Sequence, residues 1–243
     1  MRRRTAAGES SVATLEAARD PSVVCDNLAR TYGTGATAVV AVYGVSCAVQ
    51  SGSRIALTGP SGSGKSTLLH LMAGLEAPTS GTITWPALDG HPQGHPGRVG
   101  VVFQGPSLLP ALDVAENVAL PLLLADVAEG EAAARSGDAL HRLGIDDLAD
   151  KLPEQLSGGQ AQRVAVARVL ASRPRLILAD EPTGQLDHQA AHLVIDVLLQ
   201  AGAELGASLV VSTHDPVIAD RLDLQWTMRD GRIDLPPTTG TST

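Results

Sequence analysis

The chain has 243 residues, a formal net charge of −8, and 44% hydrophobic, 18% charged and only 2% aromatic residues. That length fits one large α/β domain or two small ones, and the acidic balance argues against a general nucleic-acid binder. Leu, Val, Ile and Ala must fill the core, and no run of 18 apolar residues offers a membrane span: even 114–127 is broken by Glu116, Asn117, Pro121 and Asp126.

In chain order, residues 1–22 read as a flexible leader, because the basic run Arg2–Arg4 is followed by polar, Ala-rich sequence without a signal-peptide core. Cys25 and Cys47 sit in apolar, strand-like stretches without metal-ligand spacing, and buried reduced thiols are expected. Val45, Cys47 and Val49 alternate on one face of a strand, and Ile55–Leu57 is a short strand that runs into Gly59. Helical spacing follows through Leu68, Leu69 and Met72 and stops at Gly74. Gly81–Trp85 and Arg98–Phe103 are expected strands. Between them, Pro86–Gly97 reads as a loop whose His91 and His95 lack the Cys or carboxylate that would complete a metal site. From Val114 to Leu148 the periodicity is mainly helical, clearest over Ala132–Leu143. A helix after Ser157 to Ala171, a strand at Leu176–Ala179, a helix at Gln189–Leu205 and a strand at Ser208–Ser212 come next. Arg229–Arg232 then turns between two short strands. The pattern predicts an α/β core of parallel strands, with a mainly helical insertion at about 105–160 and a disordered tail over 234–243.

Three motifs carry chemistry. Gly59-Pro60-Ser61-Gly62-Ser63-Gly64-Lys65-Ser66-Thr67 matches G-x-x-x-x-G-K-[ST] in its required setting, strand before and helix after. The glycines let backbone N–H groups converge on phosphate oxygens, and the helix start adds its positive end. Lys65 is one of only two lysines, with Lys151; it should reach the β- and γ-phosphates, while the Ser66 hydroxyl should ligate Mg²⁺. Second, the apolar strand Leu176–Ala179 ends in Asp180-Glu181. Asp180 is placed to hold Mg²⁺, and Glu181 to accept a proton from, or orient, an attacking water. Third, Ser157-Gly158-Gly159-Gln160 opens a helix with an N-cap serine and two uncovered amides. It is a second phosphate-binding surface, one that the chain's own nucleotide need not reach.

Together these motifs make the chain resemble the ATP-binding cassette (ABC) ATPases over about residues 23–233, with Leu156–Gln160 as the signature motif. The fold that the resemblance implies is a phosphate-loop NTPase with a mainly parallel sheet core, an N-terminal antiparallel β subdomain and a helical subdomain carrying the signature. By order along the chain, Tyr32 is similar to the aromatic that stacks on adenine, and Gln104 to the glutamine that senses Mg²⁺ and the water. Asp187, in Gly184-Gln185-Leu186-Asp187, is similar to the dimer-contact aspartate, and His214 to the histidine at the γ-phosphate. The resemblance implies ATP and Mg²⁺ as cofactors and a head-to-tail pairing with a second ATPase subunit, two copies of this chain being the expected pair. It also implies an integral-membrane permease partner, a peripheral place on the cytoplasmic face of the membrane, and no nucleic acid.

Leu108-Leu109-Pro110, Glu116-Asn117-Val118, Leu120-Pro121-Leu122 and Glu181–Asp187 look like the lipoprotein-release and macrolide-export branch, which usually has Asn where Gln185 stands. Export or extraction is therefore the leading expectation. A non-transporting mechanotransmission ATPase and a solute importer are the alternatives. Two departures stand out: Gly105-Pro106-Ser107 replaces an aromatic-and-Asn segment, and Asp89–Gly97 replaces a charged helical one.

Overall fold

A computed structural model describes residues 20–236; of the expected leader over 1–22, residues 1–19, and of the expected tail over 234–243, residues 237–243, lie outside the described residues. In chain order the strands and helices are β1 (Val23–Tyr32), β2 (Val39–Val49), β3 (Arg54–Thr58), α1 (Lys65–Met72), β4 (Ser80–Thr84), β5 (Val99–Val102), α2 (Val114–Leu124) and α3 (Glu129–Arg142). They continue as α4 (Gly158–Ala171), β6 (Leu176–Asp180), α5 (His188–Leu205), β7 (Ser208–Ser212), α6 (Pro216–Ala219), β8 (Leu224–Arg229) and β9 (Arg232–Asp234). Two sheets result. A three-stranded sheet runs in the order β2-β1-β4 and is antiparallel throughout. A six-stranded sheet runs β5-β6-β7-β3-β8-β9, parallel except for β9. This is the expected division into an antiparallel subdomain and a parallel core.

The parallel strands are continuous apolar runs because both faces are covered. In β6, Ile177 and Ala179 join a core shared with α2, α3, α4 and α5. The alternate residues Leu176 and Leu178 face the other way, into a core with α1 and the antiparallel sheet. One strand therefore feeds two cores, and its C-terminal end, at Asp180, is fixed from both sides.

Cys25 and Cys47 are free, buried and directly opposite each other across β1 and β2. A thiol–thiol hydrogen bond with Cys47, then burial, hold the Cys25 thiol well above its ordinary range, so it stays protonated. In the segment expected as a loop, two 3-10 turns occur, Pro86–Leu88 and Pro92–Gly94. His91 packs edge-on against Trp85, and a His95 ring nitrogen bonds the Asp89 carbonyl.

The helical insertion is anchored by one amide. Asn117, 1% exposed, accepts from Leu109 N–H, and its Nδ2 donates to the carbonyls of Leu109, Leu112 and Asp113. It thereby fixes the 109–113 connection to α2, which starts on a capping box between Asp113 and Glu116. The helix then runs through Pro121 with Val118 and Leu122 buried beyond that start. Asn117→Ala leaves buried backbone groups unpaired and is expected to cost about 2–4 kcal/mol of stability. Urea unfolding measures this; a loss below about 0.5 kcal/mol would contradict the anchor.

Candidate functional site

The phosphate loop is wedged between two backbones. Gly59 has φ +142°, and a Cβ there would stand 2.1 Å from the Met228 carbonyl oxygen on β8. Gly64 has φ +100°, and its Cβ would stand 2.1 Å from the Ala41 oxygen on β2. Only glycine fits at either position. Gly231 N–H donates to the Ser63 carbonyl at 3.1 Å, so the loop is held from β8 and the turn after it as well as from β2. Lys65, 7% exposed, lies along the loop, with Nζ donating to the Gly59 and Pro60 carbonyls at 2.9 and 3.1 Å. Buried Ser63 Oγ has no protein partner. Loop amides, the start of α1 and an ammonium thus form a cationic cradle with one hydroxyl left to pair.

The acidic strand end is tied to its neighbour by a serine that the sequence reading did not single out. β6 and β7 pair with Asp180 opposite Ser212. Ser212 Oγ donates to Asp180 Oδ1 at 2.6 Å and accepts from Glu181 N–H at 3.0 Å. Asp180 is 4% exposed. Glu181 adopts φ +47°, a left-handed conformation that a non-glycine residue takes only when held there. Two bonds donated by its N–H, to the Ser212 hydroxyl and to the Ser212 carbonyl, hold it. Glu181 Oε2 then sits 2.8 Å from His214 Nδ1, the carboxylate 14% exposed and the imidazole 73% exposed. The pair can accept a proton on the buried member and meet an incoming anion with the exposed one.

A cleft of about 640 Å³ gathers these groups. Ser61, Gly62 and Gly64–Thr67 line it, with Gln104, Glu181 and His214 opposite. Ala41, Gly184 and Gln185 also line it; no local motif marks Ala41. Asp180 is not among the lining residues. Tyr32 stands at the rim, its hydroxyl 3.5 Å from Thr67 Oγ1. Asp187 caps α5, accepting from Ala190 N–H.

Residues Ser157–Gln160 are not among those lining the cleft. Ser157 and Gln160 form a reciprocal capping box, each side chain accepting from the other's backbone N–H. Positions built on Gly158 and Gly159 would face Gln185 and Leu186 of the same chain at 3.7 and 3.2 Å. The same helix is bonded to the segment after β5. Gln162 Nε2 donates to the Phe103 carbonyl, and the Arg168 guanidinium donates to the carbonyls of Pro106 and Ser107. Burial lowers the Arg168 pKa. Ser66 and Gln104 offer oxygen donors in the cleft, and Asp180 precedes the lining residue Glu181, a set suited to a hard cation such as Mg²⁺. Among the described residues no group of three or more His, Cys, Asp or Glu forms a metal cluster. Phosphate oxygens and water would have to complete any such shell.

A parallel sheet that delivers a phosphate loop beside an acidic strand end defines a phosphate-loop nucleotide-binding protein. A family model described as ABC transporter matches residues 42–184. Two relatives, each a "lipoprotein-releasing system ATP-binding protein LolD" from Legionella pneumophila strains Paris and Lens, are 41% identical over 221 residues, which is 88% of this chain and 97% of theirs. A solved structure of the ATP-binding cassette MJ0796, dimeric and bound to ADP and Pi, superposes with TM-score 0.81 at 33% identity, covering 87% of this chain and 96% of that one. cbiO1 from Clostridium perfringens, part of the ABC transporter complex cbiONQ, gives TM-score 0.76 at 32% identity, covering 89% and 88%. The chain belongs to the ABC transporter family, on the lipoprotein-release side that its motifs predict. It is the ATP-binding, ATP-hydrolysing subunit of a membrane transporter of this family. Among the described residues no helix is long and apolar enough to cross a membrane.

Proposed function

We propose that the chain cleaves Mg-ATP at a site shared by two copies, and that the pair drives a membrane permease which extracts or exports lipophilic cargo at the cytoplasmic face. The observation that carries this reading is the separation within one chain of two anion-binding surfaces. The phosphate loop lines the cleft, while the Ser157–Gln160 helix start does not. A head-to-tail partner would bring its own Ser157–Gln160 against the open side of the cleft.

In that arrangement Lys65 and the amides of residues 59–67 hold the β- and γ-phosphates, and Tyr32 carries the adenine. Ser66, Gln104 and Asp180 would hold Mg²⁺, which would supply charge neutralisation at the phosphates. Glu181 aligns the attacking water and takes its proton; His214 contacts the γ-phosphate, and Asp187 meets the second copy. A γ-phosphate gripped by two positive helix ends joins the copies more strongly than a diphosphate does. MJ0796, which has been solved as a dimer, is consistent with this pairing. The permease contact is an apolar groove of about 460 Å³ between α2 and α3, lined by Leu120, Leu123 and Leu140 with Glu116 and Glu129 among its polar groups. A helix with an apolar stripe and basic flanks matches it.

Mixing two dead variants tests the shared site. Lys65→Ala and Ser157→Arg should each be inactive alone, whereas a mixture forms one site with both motifs intact. Turnover in the mixture is expected to recover to about a quarter of wild type, the share expected if half of the dimers are mixed and each has one working site. A mixture as inactive as its components would count against shared catalysis.

A further inference from the structure

Tyr32 is not left free at the rim of the cleft. Its hydroxyl donates to Glu76 Oε2 at 2.6 Å, and the same carboxylate oxygen accepts from Arg30 Nε at 3.0 Å. The Arg30 guanidinium carbon lies 4.7 Å from the centre of the Tyr32 ring, within cation–π range and over one of its faces. Arg30 and Tyr32 are two apart on β1 and so project to the same side of the strand. Glu76 comes from the connection between α1 and β4. That connection is itself bonded to β1, since Thr79 N–H donates to the Ala29 carbonyl and Thr31 N–H donates to Thr79 Oγ1. The other carboxylate oxygen of Glu76 lies 3.5 Å from His70 Nδ1 on α1. One acid thus ties the aromatic, the cation behind it and the first helix together.

We infer that Glu76 is a positioning residue for nucleotide binding: it fixes the Tyr32 ring so that Arg30 fills one face and the adenine takes the other. The inference rests on the reading of Tyr32 as the adenine platform. An aromatic held in advance loses less rotamer freedom when a base stacks on it, and a ring with one face already filled offers a single stacking geometry. The effect falls on the base and leaves the triphosphate grip to the loop at 59–67. Glu76 touches no reacting atom in this scheme.

The test is equilibrium binding to the full chain. A fluorescent ATP analogue is displaced either by Mg-ATP or by Mg-tripolyphosphate, which has the phosphates without the base. Glu76→Ala should weaken ATP binding by about 3- to 10-fold while leaving tripolyphosphate binding within about 2-fold of wild type. Glu76→Gln, which keeps an acceptor oxygen for both Tyr32 and Arg30, should restore ATP affinity to within about 2-fold of wild type. Tyr32→Phe removes only the hydroxyl and should weaken ATP selectively too, so the idea remains testable if Glu76→Ala does not fold. In a Tyr32→Ala background, Glu76→Ala should add nothing further.

A Glu76→Ala chain with wild-type ATP affinity, alongside a Tyr32→Ala chain that has lost it, would overturn the positioning role alone. So would parallel losses for ATP and tripolyphosphate, the mark of general damage to the fold. Unchanged ATP affinity in Tyr32→Ala would instead remove the platform, and the positioning role with it.

Discussion

A Glu181→Gln chain is expected to bind ATP, to hydrolyse it about 100- to 10,000-fold more slowly, and to collect as a dimer when Mg-ATP saturates. The substitution is nearly isosteric. It leaves untouched the two bonds from Glu181 N–H to Ser212 that hold the left-handed backbone. An amide can still bond His214, so the local fold should survive. What it cannot do is accept a proton from water, and the γ-phosphate bridge then persists. Steady-state turnover and light scattering with and without Mg-ATP check the two halves of the expectation. Turnover close to wild type would remove Glu181 from the chemistry. A chain that stays monomeric under saturating Mg-ATP would remove the bridge.

Lys65→Ala should be as severe by a different route. Nζ is the only lysine charge in the cleft, and it lies along the loop carbonyls of Gly59 and Pro60, poised beside the phosphate amides. Losing a preorganised cation at a site of developing negative charge is expected to lower turnover by about 100- to 1,000-fold. ATP binding should weaken by about 10-fold, because charge-assisted contacts to the β- and γ-phosphates are lost. Gly59 is half-buried and Pro60 exposed, so the carbonyls released can take water and thermal stability should stay near wild type. Loss of activity together with loss of the fold would point to a structural role for Lys65 instead.

Much of this arrangement is legible in the sequence, because its constraints are local. The continuous apolar run Leu176–Ala179 marks a strand covered on both faces, and Gly206, at φ +61°, ends α5 after Leu205. The loop glycines announce a backbone that must come close to something, although not that the neighbours are the carbonyls of Met228 and Ala41. Long-range pairing leaves no such trace. β1 carries Asp26, Asn27 and Arg30, and its register against β2 shifts repeatedly, so its alternation is hidden. The turns within 86–97 form around prolines in a stretch whose composition reads as loop. The short helix α6 has a local signal in its Asp215 cap and Pro216 start, yet four residues carry no periodicity to detect. Ser212 reads as the last polar residue of a strand, and only the pairing of β6 with β7 sets it between the Asp180 carboxylate and the Glu181 backbone N–H.

The bonds from Gln162 and Arg168 to the chain at Phe103, Pro106 and Ser107 couple α4 to that stretch. A tilt of that helix would pull on the stretch flanking Gln104, as a handle pulls on its blade. On the shared-site proposal, a pull at the end that would clasp a neighbouring molecule is expected to be felt at Gln104, through hydrogen bonds worth about 1 kcal/mol each.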